Sequence, residues 1–454
     1  MNDVRLEASK LEPGMVVASD IRDRNGRFLV GKGTVLSDRH LKIINMWGVL
    51  EASVQESSTT VIPPKASSDI IEPTILEKAK DSVKKRFLLA DLEHKAIQEL
   101  FEICALRKAQ QFAAKPITES EKCEDDIKNE EEVHIEMHAI DPSLDVAAFD
   151  KRTDQPEKRI AAKERIDPRQ FIKENLKLPS LSPIFNQLSE AIDNPCCSIS
   201  HIGSIVSKDP SISARMLQIV NSAFYGFSSQ IDSISRAIAI IGIKELKTLA
   251  LGAYAVTAFQ DIPSKLINMK SFWKHSIACA VIARSIASHI KNTPTEKFFL
   301  AGLLHDIGKL VIFRNLPDLA YQAILRARKT NALMVDAELE ILGFSHNIMG
   351  EMLLGEWKLP STLVEAVSGH HSPQKTERLL ITDIVHLADI MANALEFGTS
   401  GEYLVPPLDP SAWEAIGLPV GVLNTAVKQA DQHMTEMVHN FLPNEFENTT
   451  KIRS

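Results

Sequence analysis

Cysteines are few in this chain, and none is set in a C-x-x-C pair: Cys104, Cys123, Cys196, Cys197 and Cys279 are the five. An odd count without paired spacing excludes a disulfide framework or a zinc ribbon and reads as the reduced thiols of a cytosolic protein. A basic excess is also missing. The net charge is −8 and the pI about 6.0, which argues against a general nucleic-acid binder, whose contact face would be basic. Apolar runs stop far short of the roughly 20 residues that span a bilayer; AIAIIGI at 237–243 is among the longest. The N-terminal stretch MNDVRLEASKLEPGM has no apolar signal core. Nor is there a phosphate-cradling Gly-rich loop, a G-x-S-x-G elbow or a fixed-period repeat. These absences leave a cytoplasmic globular protein with no membrane partner. At 454 residues, 44% of them hydrophobic, it should divide into two or three units with cores large enough to need no staples.

Residues 1–56 read as a small β-rich accessory domain. MVVASDI and RFLVGKG flank Asn25-Gly26, a dipeptide that tolerates positive φ and signals a hairpin. Ser37 is placed to cap a short helix that Gly48 would end. Residues 57–73 are a Ser/Thr/Pro linker. From 74 to 115, apolar residues such as Leu76, Ala79, Val83, Phe87, Leu100 and Ile103 recur at helical spacing, as one bent helix or two. Packing is the first reading for this segment and a dimerising or partner-binding helix, hence a homodimer, the second. Residues 116–157, with TESEKCEDDIKNEEEVHIEMH, have the acidic, aromatic-poor composition of a disordered linker. From 158 to about 440 long helical periodicities alternate with short Pro, Gly and Asn breaks, and no strand ladder is apparent. The fold class is therefore mainly all-α with a small β-rich N-terminal domain.

Chemistry concentrates in histidines and aspartates set among apolar residues. FLAGLLHDIGKL at 299–310 ends an apolar helix in His305 and Asp306, with Gly308 beyond as a residue where the backbone can turn. A buried carboxylate is costly unless paired, strongly hydrogen-bonded or bound to metal. His275 lies in FWKHSIACAVIARSIA, His346 in LGFSHNIMGEML, and His370 and His371 adjoin in VEAVSGHHS. Asp389 falls in the row of Val385 and Ala392 on a helix with an apolar stripe, so it should point inward. Imidazole and carboxylate together suit Fe, Mn, Zn or Ni better than Ca or Mg. The wide, irregular spacing is not that of a zinc finger; it would be a site gathered from several helices of a bundle, with the number of ions, one or two, left open by the spacing. Taken singly, histidines such as His201, His289 and His433 read as surface or hydrogen-bonded core residues.

The order H…HD…H…HH…D resembles the HD superfamily of metal-dependent phosphohydrolases, most closely its HDOD branch. The stretches that carry it include LPSLSPIFNQLSEAI (178–192), SIVSKDPSISARMLQIVNSAFYG (204–226), FFLAGLLHDIGKLV (298–311) and LADIMA (387–392). On this likeness 158–400 is an HDOD domain, with an HDOD-specific helical half at about 176–265 and an HD half at about 270–395; 401–454 follow as C-terminal helices and tail. The N-terminal unit is similar to the small domain preceding HD-GYP phosphodiesterase domains. The resemblance implies His275, His305, Asp306 and Asp389 as the basic metal set, with His346, His370 and His371 as ligands for additional ions. It implies Lys309 as the group that approaches a phosphate if the site is catalytic. The Gly-Tyr-Pro segment of HD-GYP enzymes is absent after His371, where SPQKTERLL stands, and Ser271 replaces a carboxylate of some multi-metal relatives. The first functional reading is a signal-transduction module that binds a protein or nucleotide ligand and retains its metal site. The alternative is a metal-dependent phosphohydrolase acting on a cyclic nucleotide or dinucleotide. In the front half, DPSISARMLQIVNSAFYG reads as architecture, with Asp209 and Pro210 starting a helix; a docking groove between the two halves is the sharper alternative.

Overall fold

The structure is a computed structural model. It describes residues 3–7, 11–22, 28–37, 40–41, 44, 49, 51–55, 72–114, 168–194, 197–227, 230–259, 262–264, 266–291, 293–375 and 379–442. The linker expected at 57–73 falls almost wholly outside them. So do the acidic stretch 116–157, the Asn25-Gly26 pair and Gly48.

Two small antiparallel ladders make the N-terminal unit. Strand Asp3–Glu7 pairs with Glu51–Gln55, matching Val4 with Val54 and Leu6 with Ala52, and Ile21–Arg22 pairs with Phe28–Val30 across an irregular register. Alternation puts Ala52 and Val54 on one face, where they join Val17, Ile21, Val30, Leu36 and Ile44 in a separate hydrophobic cluster. Ser37 meets the His40 backbone N–H with its hydroxyl at 3.4 Å, as an N-cap would.

Everything else described is helical. Caps start the front helices where the sequence supplies a short acceptor: Ser182 before Pro183–Asp193, Ser198 before Ile199–Val206, Asp209 before Pro210–Val220 and Ser233 before Ile234–Ile241. Asn221 ends the third of these and ties it to the next segment, accepting from Ile231 N–H and donating to Ile231 O, each at 2.7 Å.

The 74–115 segment is two helices, Pro73–Lys84 and Lys95–Ala114, packed on each other. Val83, Phe87, Ala96, Ile97, Leu100 and Cys104 from this arm belong to the same hydrophobic cluster as the rest of the helical body. Cys104 Sγ–H donates to Ala394 O at 3.3 Å.

At the centre runs Met269–Ser288, buried along nearly its whole length and packed against Glu296–Leu304, Leu380–Ala394 and Gly421–Phe441. Small residues allow that: Ala278, Cys279, Ala280 and Ala283 face neighbouring helices, and Gly302 passes so close that a Cβ there would lie 2.8 Å from the Ala280 backbone. No helix among the described residues is long and apolar enough to cross a membrane.

Gly308 does something other than turn the chain. The turn is His305-Asp306 itself, and Gly308 is the second residue of the helix Ile307–Asn315. That helix meets His346–Glu356 there at backbone distance: a Cβ on Gly308 would sit 2.0 Å from His346 O and 2.6 Å from Gly350 N. The glycine is needed for close approach. Gly308→Ala should therefore push Asp306 and His346 apart, costing about 1–3 kcal/mol or more. Thermal unfolding compared with Gly355→Ala checks this, because a Cβ at Gly355 meets nothing within 4 Å and that variant should melt at or slightly above the parent temperature.

Candidate metal centre

Six segments deliver seven side chains to one place. His275 comes from the second turn of Met269–Ser288. His305 closes Glu296–Leu304, and Asp306 opens Ile307–Asn315 without using its side chain as a cap, which leaves the carboxylate to face the core. His346 is the first residue of His346–Glu356. His370 and His371 follow Ser361–Gly369, and Asp389 projects from Leu380–Ala394. His275, His305, His346 and His370 are fully buried, Asp306 and Asp389 nearly so, and His371 is half-buried.

The donors form two groups that meet at Asp306. On one side, His275 Nε2 lies 3.1 Å from Asp389 Oδ1 and 3.3 Å from His305 Nε2. His305 Nε2 lies 3.3 Å from both Asp389 Oδ1 and Asp306 Oδ2. On the other side, Asp306 Oδ1 is 3.3 Å from His346 Nε2 and 3.7 Å from His370 Nε2, and His346 Nε2 is 3.1 Å from His371 Nε2. His275, His305 and Asp389 form one group able to hold an ion, and Asp306, His346, His370 and His371 a second.

Hydrogen bonds behind the rings fix which nitrogen faces inward. His305 Nδ1–H donates to Gly302 O and His370 Nδ1–H to Val367 O, each at 2.7 Å. Their Nε2 atoms therefore point at the centre. His346 Nδ1 is 2.6 Å from Glu338 Oε2, which also accepts the His346 backbone N–H at 2.8 Å. Asn393 Nδ2–H donates to Asp389 Oδ1 at 2.9 Å and holds that carboxylate in place. Within this network Asp306 Oδ1 and His370 Nε2 are buried without a hydrogen-bond partner. Two inward acceptors left bare in a core are what a cation would satisfy, so the donor set fits a metal.

Charge tells the same story. Burial pushes the Asp306 carboxyl up, but Lys309 and His305 outweigh it and hold it well below the usual carboxylate range. Burial opposes Asp389 ionisation as well, and hydrogen bonds from His275 and His305 keep it ionised. Burial, with Lys309 and the neighbouring imidazoles, drives His346 well below an ordinary histidine; burial and His370 do the same to His371. Those rings stay neutral, as ligands must. His305 goes the other way: burial lowers it, but Asp306 overrides and raises it well above the ordinary value, so it holds a proton in the metal-free chain. Glu338 is pushed by burial up to about 8.

Lys309 lies beside the ligands, fully buried, with Nζ donating to Asp306 Oδ2 at 2.9 Å and to Ser400 Oγ at 3.1 Å. Glu338, Asn393 and His386 are supporting residues that the sequence reading does not single out. His386 Nδ1–H donates to His370 O at 2.7 Å, and its Nε2 accepts Asp409 N–H at 3.0 Å. The signal for Glu338 was present: it shares the buried face of Met334–Leu342 with Met334, Ala337 and Leu342, the same acid-in-an-apolar-row pattern that marks Asp389. Two cavities in the helical body lie elsewhere. One of about 470 Å³ is lined by Ile199, Ile238, Ile243 and Glu245 among others, and one of about 300 Å³ by Leu178, Asn186 and Trp357 among others. No metal-centre side chain lines either.

Residues 178–373 match the HDOD domain family. An uncharacterized protein of Treponema pallidum (strain Nichols) is 25% identical over 215 residues, 45% of this chain and 40% of that relative, so the match spans less than half the relative's length. Among solved structures, an HDOD domain protein of unknown function from Geobacter sulfurreducens is 22% identical with a TM-score of 0.49, covering 61% of this chain and 96% of that one. A protein of Shewanella amazonensis SB2B, provisionally named a phosphohydrolase, is 24% identical with a TM-score of 0.48, covering 60% and 97%.

Two outcomes follow from this geometry. Glu338→Gln should weaken metal affinity about 10- to 100-fold by loosening His346, read by competition with a chromogenic chelator. Metal loading should release protons, because the ion must displace the proton that Asp306 favours on His305, so affinity should rise with pH above the ordinary histidine value of 6.5. Calorimetric titration in buffers of different ionisation enthalpy measures that release; a heat independent of buffer would contradict it.

Proposed function

We propose that this HDOD domain is a metal-dependent regulatory module in a cytoplasmic signalling protein. In this reading His275, His305 and Asp389 would hold one divalent transition ion, drawn from Fe, Mn, Zn or Ni, and His346, His370 and His371 would hold a second, with Asp306 lying between the two groups. One observation carries the proposal: a complete donor set converges at the core, while every member except His371 is closed to solvent.

When bound, the ions would polarise a phosphoryl oxygen and lower the pKa of a bound water. The chain's own residues contribute rigidity. The Gly302 and Val367 carbonyls set the tautomers of His305 and His370, Glu338 orients His346, and Asn393 orients Asp389. Lys309 offsets the carboxylates. Six segments thereby depend on one buried cluster, so metal occupancy would set how the helical body packs and which face it offers to a protein or nucleotide ligand.

A second reading, phosphohydrolysis of a cyclic nucleotide or dinucleotide, is favoured by the completeness of the donor set and by Lys309 beside it. Against it stand the closed surroundings, the engagement of Lys309 by Asp306 and Ser400, and the missing Gly-Tyr-Pro segment.

The module reading expects metal-loaded protein to melt higher than metal-free protein, with metal held at 100 times its Kd adding about 2.7 kcal/mol. The gain should vanish, with the bound metal, in Asp306→Ala. It also expects no turnover of bis(p-nitrophenyl) phosphate or cyclic dinucleotides with Mn or Fe. Turnover that disappears in His305→Ala would establish the enzyme instead. Absence of metal after reconstitution would remove the centre from both readings.

A further inference from the structure

The segment 396–405 passes the Lys309 side of the centre and is gripped from both sides. On its inner face Ser400, fully buried, accepts from Lys309 Nζ at 3.1 Å. Thr399 N–H donates to Ser271 O at 3.2 Å and Oγ at 3.1 Å, one turn before His275. Glu402, also buried, accepts the Met334 N–H at 3.0 Å, at the start of the helix that carries Glu338. Gly398 lets the segment bend in: its φ is +76°, and a Cβ would stand 2.2 Å from Ser271 O.

On its outer face the arm formed by Pro73–Lys84 and Lys95–Ala114 holds it. Arg86 pairs with Glu396 at 3.0 Å, and its Nε–H donates to Tyr403 O at 3.2 Å. Val405 N–H donates back to Arg86 O at 2.8 Å, Lys108 stands 3.7 Å from Glu396, and Arg107 covers the Phe397 ring.

Two features suggest a purpose beyond packing. An ammonium buried beside a carboxylate is a ready donor for an anion, yet here one of its bonds goes to a neutral hydroxyl. A charged oxygen in that place would add ionic attraction to a bond that now has charge on the donor alone. The residue holding the covering segment in place, Arg86, belongs to a helical arm and stands 317 positions before Tyr403 of that segment, and both lie outside the family match at 178–373. Cover and latch are thus built from different parts of the chain.

We propose that 396–405 is a strap that shuts the Lys309 side of the centre against oxyanions, with Ser400 occupying the position of a phosphoryl oxygen and Arg86 as the latch. Drawing the 73–114 arm away frees the strap and exposes Lys309 to a phosphate group. The phosphoryl ligand rests on the proposed reading of the centre; the latch rests only on the contacts of Arg86 with Glu396, Tyr403 and Val405.

Hydrogen exchange of the full chain, metal-free and metal-loaded, separates the two. Peptides spanning 396–405 should exchange slowly in the parent and at least about tenfold faster in Arg86→Ala, the loss expected for a hydrogen bond from a charged group. Lys80→Ala should leave them unchanged, since Lys80 pairs with Glu102 inside the arm at 3.1 Å. Orthophosphate, followed by ³¹P line broadening, should bind at least about tenfold more tightly to metal-loaded Arg86→Ala and Ser400→Ala than to the parent. Lys309→Gln should cancel that gain. Ser400→Ala opens the lock from inside without touching the arm, so a folding defect in Arg86→Ala does not decide the matter. Strap exchange equal in parent, Arg86→Ala and Ser400→Ala would overturn the latch whether or not metal binds. Faster exchange in the metal-free variants would uphold the latch even if the chain takes up no metal. Equal phosphate affinity in loaded parent and variants would overturn the Lys309 assignment.

Discussion

Asp306 is the group on which the centre depends. Its two oxygens face different sets of imidazoles, Oδ2 toward His275 and His305, Oδ1 toward His346 and His370. A carboxylate at that depth is held ionised by Lys309 at 2.9 Å, and an unpaired one would be untenable. The local backbone serves this placement. The chain turns at His305-Asp306, the preceding helix supplies the Gly302 carbonyl that orients His305, and the following helix has Gly308 as its second residue so that His346 can approach.

The same closeness explains why the centre is shut. His305, His346, His370 and Asp389 are each held by a hydrogen bond from behind, and the helices that carry the ligands approach one another closely at Ala280, Gly302, Gly308 and Gly350. Such a shell fixes ligand direction tightly and leaves little room for a substrate. The least buried of the seven side chains, His371, and the Lys309–Ser400 contact mark the sides nearest to an approach from outside. The arm at 73–114 bears on the second of these through Arg86, which gives a helical segment lying outside the matched domain a physical connection to the chemistry.

Much of the helical architecture was legible in the sequence because helix periodicity and capping are local. Asp209 announces its helix by type and position, and Ser182, Ser198 and Ser233, not singled out from the sequence, cap theirs in the same way. Asp389 announces itself as an acid in an apolar row. The convergence of seven side chains from six segments was legible only through family likeness, since no spacing rule relates residues 275, 306 and 389. Gly308 was misread as a turn because a glycine that permits close packing and one that permits a bend look alike in a sequence; the distinction lies in the partner helix. Glu338 and His386 were overlooked because they act on ligands from behind. The role of 396–405 was invisible because Arg86 and Tyr403 are 317 positions apart.

The central proposal is that the seven side chains gathered around Asp306 would hold two ions. Anomalous diffraction from crystals of metal-loaded protein, collected on either side of the absorption edge of the bound element, tests it most directly. The account predicts two peaks flanking Asp306, one among His275, His305 and Asp389 and the other among His346, His370 and His371. A single peak, or peaks remote from Asp306, would contradict it.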